Sequence, residues 1–205
     1  KLIIDDLWRS DMQALNLKSD YINILDVRGQ PIIKSQNFND EITQPLAVFD
    51  YDNSKNYRLL VTQGKNVLMY DVKGKRIKGF TFKSANNNII CQPKHFKISS
   101  KDYITLKTNN KLYILNRLGK TRVKPKQSFP YSNQPVFLYN NTFTTTSASG
   151  DLISVDAKGN VSSTNLNLSE NHHIETTSKT LVAQSENKLY IKSKTTELDF
   201  GDYSS

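Results

Sequence analysis

Asn66-Val67-Leu68-Met69-Tyr70-Asp71-Val72-Lys73-Gly74 is an alternating run that ends in Asp-x-x-Gly, and this ending decides how the rest of the chain is read. It recurs in Ile24-Leu25-Asp26-Val27-Arg28-Gly29, Ile114-Leu115-Asn116-Arg117-Leu118-Gly119 and Ser154-Val155-Asp156-Ala157-Lys158-Gly159. The glycines fall at 29, 74, 119 and 159, so the spacings are 45, 45 and 40 residues. A period near 40 residues indicates repeated supersecondary units rather than one layered domain. Asp or Asn accepts hydrogen bonds from backbone amides about two residues on, and Gly supplies the positive φ that closes a tight hairpin.

A second polar turn precedes each of these corners by nine or ten residues: Lys18-Ser19-Asp20, Gln63-Gly64-Lys65-Asn66, Thr108-Asn109-Asn110-Lys111 and Ala148-Ser149-Gly150-Asp151. Each unit therefore contains a hairpin at a fixed place. A fifth, degenerate copy runs from Leu181 to Ile191, with Ser193-Lys194-Thr195-Thr196 in place of the glycine corner. In the second copy, short runs rich in β-branched and aromatic residues predict four strands, over Leu46 to Asp50, Tyr57 to Thr62, Val67 to Val72 and Arg76 to Phe82. The expected fold is all-β: a β-propeller of about five four-stranded antiparallel blades, at 1–38, 45–83, 94–130, 135–168 and 172–201 in one domain of 1–205. A competing local reading makes residues 2–15 an amphipathic helix, with Ile4, Leu7, Trp8, Met12 and Leu15 on one face.

The stretches Lys111-Leu112-Tyr113-Ile114-Leu115-Asn116-Arg117-Leu118-Gly119-Lys120 and Asp151-Leu152-Ile153-Ser154-Val155-Asp156-Ala157-Lys158-Gly159-Asn160 resemble the blade motif of the quinoprotein-like (PQQ-like) and WD-type propeller superfamily. The overall character is similar to bacterial propeller domains of the cell envelope, and the resemblance implies a periplasmic or envelope setting. Quinoprotein dehydrogenases of this superfamily carry a tryptophan docking motif in most blades, a vicinal cysteine pair and a calcium-held quinone. Here Trp8 is the single tryptophan and Cys91 the single cysteine, so no cofactor is expected. Such propellers commonly have six to eight blades, so by resemblance this chain is either a fragment of a larger propeller or a closed ring of five blades.

The composition, 37% hydrophobic with mean hydropathy −0.56, suits many short, half-buried strands, and no apolar run is long enough for a membrane helix. One cysteine can make neither an internal disulfide nor a zinc set. The net charge of +9 permits attraction to an acidic protein or a polyanion. There is no Gly-x-Ser-x-Gly elbow and no phosphate-cradling glycine loop, so the chain reads as non-catalytic.

Three groups of residues remain as candidates. Asp50 and Asp52 sit in an acidic run resembling the calcium loop of integrin-type propeller repeats, but Arg58 stands where a further aspartate belongs and no glycine follows the acidic positions, so an ordinary Asx-rich turn is the better account of the run. His172 and His173, with Glu170 and Glu175 near, read as a solvated link, because adjacent residues of an extended chain point to opposite sides. The third group is basic. Arg28, Lys73, Lys75, Arg76, Lys78, Arg117, Lys120, Arg122, Lys124 and Lys126 all belong to, or directly follow, an Asp-x-x-Gly-type corner, whereas the fourth corner carries Lys158 alone. These are the candidate partner-binding residues of a scaffold for another, acidic, protein. Nucleic-acid or polyanion binding and a degenerate quinoprotein-like enzyme or ligand-binding domain are the alternatives, and lysines guarding an edge strand are the bland account of the same positions.

Overall fold

The computed structural model describes the backbone of residues 2–5, 12–17, 21–25, 28–34, 38–193 and 197–202, and the side chains of 21–25, 28–31, 38–193 and 198. All regular structure among them is strand, none helix. β1 (Leu2–Asp5), β2 (Met12–Leu17), β3 (Ile22–Leu25) and β4 (Pro31–Lys34) form one antiparallel sheet in chain order. β5 (Ala47–Phe49), β6 (Arg58–Gln63) and β7 (Asn66–Asp71) form a three-stranded sheet. β8 (Lys94–Ile98), β9 (Lys101–Lys107), β10 (Leu112–Leu115) and β11 (Thr121–Val123) follow, then β12 (Phe137–Tyr139), β13 (Thr142–Thr146), β14 (Leu152–Val155) and β15 (Val161–Thr164). The last sheet comprises β16 (His172–Thr176), β17 (Leu181–Ser185), β18 (Lys188–Lys192) and β19 (Glu197–Asp202). Every pairing joins chain neighbours, as meanders of local hairpins require.

The helical reading of residues 2–15 does not hold for the described part, because β1 and β2 pair, with Leu2 opposite Leu15 and Asp5 opposite Met12. Trp8 lies outside the described residues, as do Asp26 and Val27 of the first corner and Lys194 to Thr196 of the last.

The repeated glycines behave alike. Gly29, Gly74, Gly119 and Gly159 have φ of 82°, 71°, 75° and 82°, each in the left-handed region. Two complete corners superimpose bond for bond. Asp71 Oδ1 accepts from the amides of Lys73 (2.9 Å) and Lys75 (2.8 Å), while Gly74 N–H donates to the Asp71 carbonyl at 3.0 Å. Asp156 Oδ1 accepts from Lys158 (2.8 Å) and Asn160 (2.9 Å), with Gly159 N–H on the Asp156 carbonyl at 3.0 Å. A further bond from the Asn160 side chain at 2.7 Å, with those backbone amides, holds the Asp156 carboxyl below its ordinary range.

By its contacts the chain divides into two units, residues 1–92 with 117–120, and residues 93–116 with 121–205. In the first, Ile22 of β3, Phe38 and Leu46 pack with Leu59, Val61 and Tyr70 of the next sheet, and Phe38 meets Tyr70 edge to face at 5.6 Å. In the second, Tyr139, Leu152, Ile174, Leu181 and Ala183 join the sheets β12–β15 and β16–β19. Each cluster is small, as expected of a core distributed between successive sheets.

The second sheet departs from expectation. Arg76 to Phe82 is not a strand: Tyr70 bridges Arg76 and Asn66 bridges Ser84, each in isolation. The reason is a local excursion. Ile77 N–H reaches the Met69 carbonyl at 2.7 Å, but the Ile77 carbonyl then accepts from Phe80 N–H at 3.3 Å, and the chain returns only where Val67 N–H meets the Lys83 carbonyl at 3.0 Å. Burial of Phe80, 7% exposed, supplies an apolar gain that an extended strand here would forgo.

Tyr131 gives the fold a pH dependence. Its hydroxyl is buried without a hydrogen-bond partner among the described residues, and burial pushes its pKa from 10.0 up to about 12. A pKa raised in the folded state means that the neutral phenol favours folding below pH 10, and this contribution disappears as pH rises from 10 through 12. Wild-type stability to urea is expected to fall by about 2 kcal/mol over that interval through this group, beyond the fall in Tyr131→Phe, which should match or slightly exceed the wild type near neutral pH. Identical pH profiles for the two proteins would refute the assignment.

Candidate functional site

The basic corners were the sequence's candidate surface, and the structure treats their members unequally. Arg28, Lys73, Lys75, Arg76, Lys78 and Lys120 are exposed within the first unit, as are Arg122, Lys124 and Lys126 within the second. Several are committed to neighbours. Arg117 is half-buried: its guanidinium lies 4.8 Å from the Tyr51 ring centroid and forks onto Asp52, Nη1 to Oδ2 at 3.0 Å and Nη2 to Oδ1 at 2.5 Å. Arg122 stands 5.4 Å from the Tyr103 ring centroid, and Lys126 Nζ donates to Asn160 Oδ1 at 2.6 Å.

The acidic run is held by the same kind of bonding. Asp50 accepts from the amides of Ser54 (3.2 Å) and Lys55 (3.0 Å), closing its own loop as an Asx turn does, while Asp52 is the partner of Arg117. Among the described residues no three His, Cys, Asp or Glu side chains gather where they would hold a metal ion.

His172 and His173 begin strand β16 rather than lying in a solvated link, which corrects the expectation for the first of them. They do point to opposite sides. His173 is exposed, 3.7 Å from Glu175, whereas His172 is buried. His172 Nδ1–H donates to the Ser169 carbonyl at 2.8 Å, because a carbonyl can only accept, which leaves Nε2 of the neutral ring to accept from Thr146 Oγ1 at 2.6 Å. The register of β16 fixes this: alternation puts His172 and Ile174 inward and His173 and Glu175 outward. Cys91, between Ile90 and Gln92, is buried in a bend.

Sequence reasoning missed Lys107. It ends β9, has no solvent exposure, and its ammonium donates to Thr145 Oγ1 at 2.6 Å and to the Gln134 carbonyl, with the Tyr131 ring centroid at 5.9 Å. Gln134 then links onward to the following sheet, donating to the His172 carbonyl at 2.8 Å and accepting from Ile174 N–H at 3.2 Å. Alternation carries no warning of this, since β9 is buried on both faces.

The first unit also contains a cavity of 390 Å³ beside β7, lined in part by Asn39, Asp40, Asn66, Tyr70, Arg76 and Lys83. It lies where the fourth strand departs from the sheet.

No protein-family model matches the chain, and neither does any curated protein. Among solved structures it is similar to two crystal structures of BBS1N in complex with ARL6DN, one soaked with mercury and the other with lead, at TM-scores of 0.66 and 0.64 and sequence identities of 15% and 12%. The matches cover 95% and 96% of this chain and 64% and 68% of those chains, so it spans about two-thirds of their length. Similarity at this identity concerns the fold, and it supports a β-propeller.

Proposed function

We propose that the chain is a non-catalytic β-propeller scaffold of about five blades that binds another protein through its basic corners, as one part of a larger propeller. Its short motifs keep it beside the quinoprotein-like and WD-type repeats, and the envelope setting remains the expected one on that resemblance. The observation that supports binding is the repeated corner itself: rigid Asp-x-x-Gly turns present Lys73, Lys75 and Lys78 in the first unit, exposed and without ion pairs among the described residues. Loops on a rigid scaffold are suited to recognition, and similar structures were solved with a protein bound. Unpaired exposed lysines favour an acidic partner by steering and complementarity.

Quantitative affinity purification should compare the wild type with the variant Lys73→Gln/Lys75→Gln/Lys78→Gln, equally stable by thermal melting. The wild type is expected to enrich a protein partner at low salt, with the variant about tenfold poorer. Equal capture by both proteins, or no enriched partner, would overturn docking through these corners.

A further inference from the structure

In the cavity beside β7, five polar side chains converge without a protein partner: Asn39, Asn66, Tyr70, Arg76 and Lys83 make no side-chain hydrogen bond or ion pair among the described residues. Arg117 and Lys126 contrast with them, since one is forked onto Asp52 and the other is bonded to Asn160. Convergent donors around a cavity of this size have the form of a small polar recognition site.

We infer that this cavity is an anchor for an acidic side chain of a partner peptide, its carboxylate seated between Arg76 and Lys83 with Tyr70 and Asn66 as further donors. Charge complementarity argues for this occupant. Two cations line the cavity and a single carboxylate, Asp40, stands with them, while the Asp40 backbone carbonyl already accepts from the Gln63 side-chain amide. Arg offers a planar fork that matches carboxylate geometry, and Lys adds a point charge. The Tyr70 phenol stays a donor, because burial raises its pKa above 10.0, with the neighbouring Arg76 charge opposing that rise. The excursion of residues 78–82 explains why the site exists here: Arg76 and Lys83 belong to segments that bridge β7 at its two ends, and the chain between them has left the sheet. Bulged segments of this kind re-aim side chains near binding sites.

The inference rests on the scaffold reading and deepens it. Its test is fluorescence anisotropy of a fluorescein-labelled peptide of alternating serine and glutamate at low salt, with a serine–glutamine peptide as control and inorganic phosphate as competitor. Arg76→Gln/Lys83→Gln is expected to weaken the glutamate peptide about tenfold or more, whereas Lys73→Gln/Lys75→Gln, which removes the same charge from the corner, should change it less than about twofold. Tyr70→Phe should lower affinity a few-fold without lowering the melting temperature. Equal losses in the two double variants would overturn the cavity while leaving docking through the basic face intact. Equal binding of the glutamine peptide would overturn carboxylate recognition. Phosphate displacing the peptide from wild type and from Arg76→Gln/Lys83→Gln with the same potency would mark general anion attraction and overturn the site. If no peptide binds at low salt, the anchor is refuted, and the affinity purification with the corner variant decides the scaffold reading separately.

Discussion

Gly119→Ala and Gly159→Ala are each expected to destabilise the protein by about 3 kcal/mol, seen as a fall in melting temperature of about 6–12 °C, while Gly29→Ala should cost only about 1 kcal/mol. All three glycines have positive φ, so an added Cβ meets the same intrinsic strain at each. Space separates them. A Cβ at 119 would lie 2.6 Å from the Phe82 backbone nitrogen, and one at 159 would lie 2.3 Å from the Lys124 carbonyl oxygen, whereas among the described residues nothing approaches a Cβ at 29 within 4 Å. These contacts are backbone, which cannot swing aside as a side chain does. They belong to seams: in the first unit the Leu118 carbonyl accepts from Thr81 N–H and Oγ1, both at 2.8 Å, and in the second the Gly159 carbonyl accepts from Lys126 N–H at 2.9 Å. The same corner thus closes its own hairpin and seals against an earlier stretch of chain. Equal losses at all three glycines would show that φ alone sets their cost and that the seams contribute nothing.

Lys107→Ala should be the most damaging single side-chain change in the second unit, costing about 3–5 kcal/mol in urea unfolding, against about 1 kcal/mol for Lys107→Met. Alanine removes the aliphatic stem and the ammonium together, leaving a cavity and leaving the Gln134 carbonyl and Thr145 hydroxyl with only their own bond at 3.3 Å. Methionine keeps most of the volume. It still takes the charged donor from those acceptors, yet it also removes the desolvation cost of burying a cation, and the two terms nearly cancel. A mild effect of Lys107→Ala would mean that the lysine reaches solvent and that its bonds to Gln134 and Thr145 are not structural. If Lys107→Met were as damaging as Lys107→Ala, the charge, and not the packing, would be what the site requires.

The two residues bracket what could be read in advance. Gly119 announced itself because a tight turn has few chemical solutions, and its 45-residue spacing from Gly74 repeated the message. Lys107 carried no such mark. A lysine at a strand end ordinarily extends its stem to water, and only the arrival of Gln134 from the segment before β12 and of Thr145 from β13 converts it into a buried donor. His172 lies between these cases: its alternation with His173 was legible, but the strand that gives the alternation a buried side was not. The candidate surface divides similarly. The clustering of Lys73, Lys75, Arg76 and Lys78 after one corner is plain in the order of residues, yet which cations are engaged depends on the side chains brought near them, as Asp52 is brought to Arg117 from 65 positions away. Lys83, Asn39 and Tyr70 entered no candidate set, since nothing local distinguishes them from strand and linker residues.

The order of amino acids by itself determined most of the strands, the hairpin corners and their periodicity, because turn chemistry and alternation act over a few neighbouring residues and need no partner. Tertiary structure alone decided the missing fourth strand of the second sheet, the burial of Lys107 and the convergence of unpaired donors beside β7. Each of these depends on whether distant segments supply apolar surface or hydrogen-bond partners, and that balance of desolvation against new contacts is struck only when the segments meet.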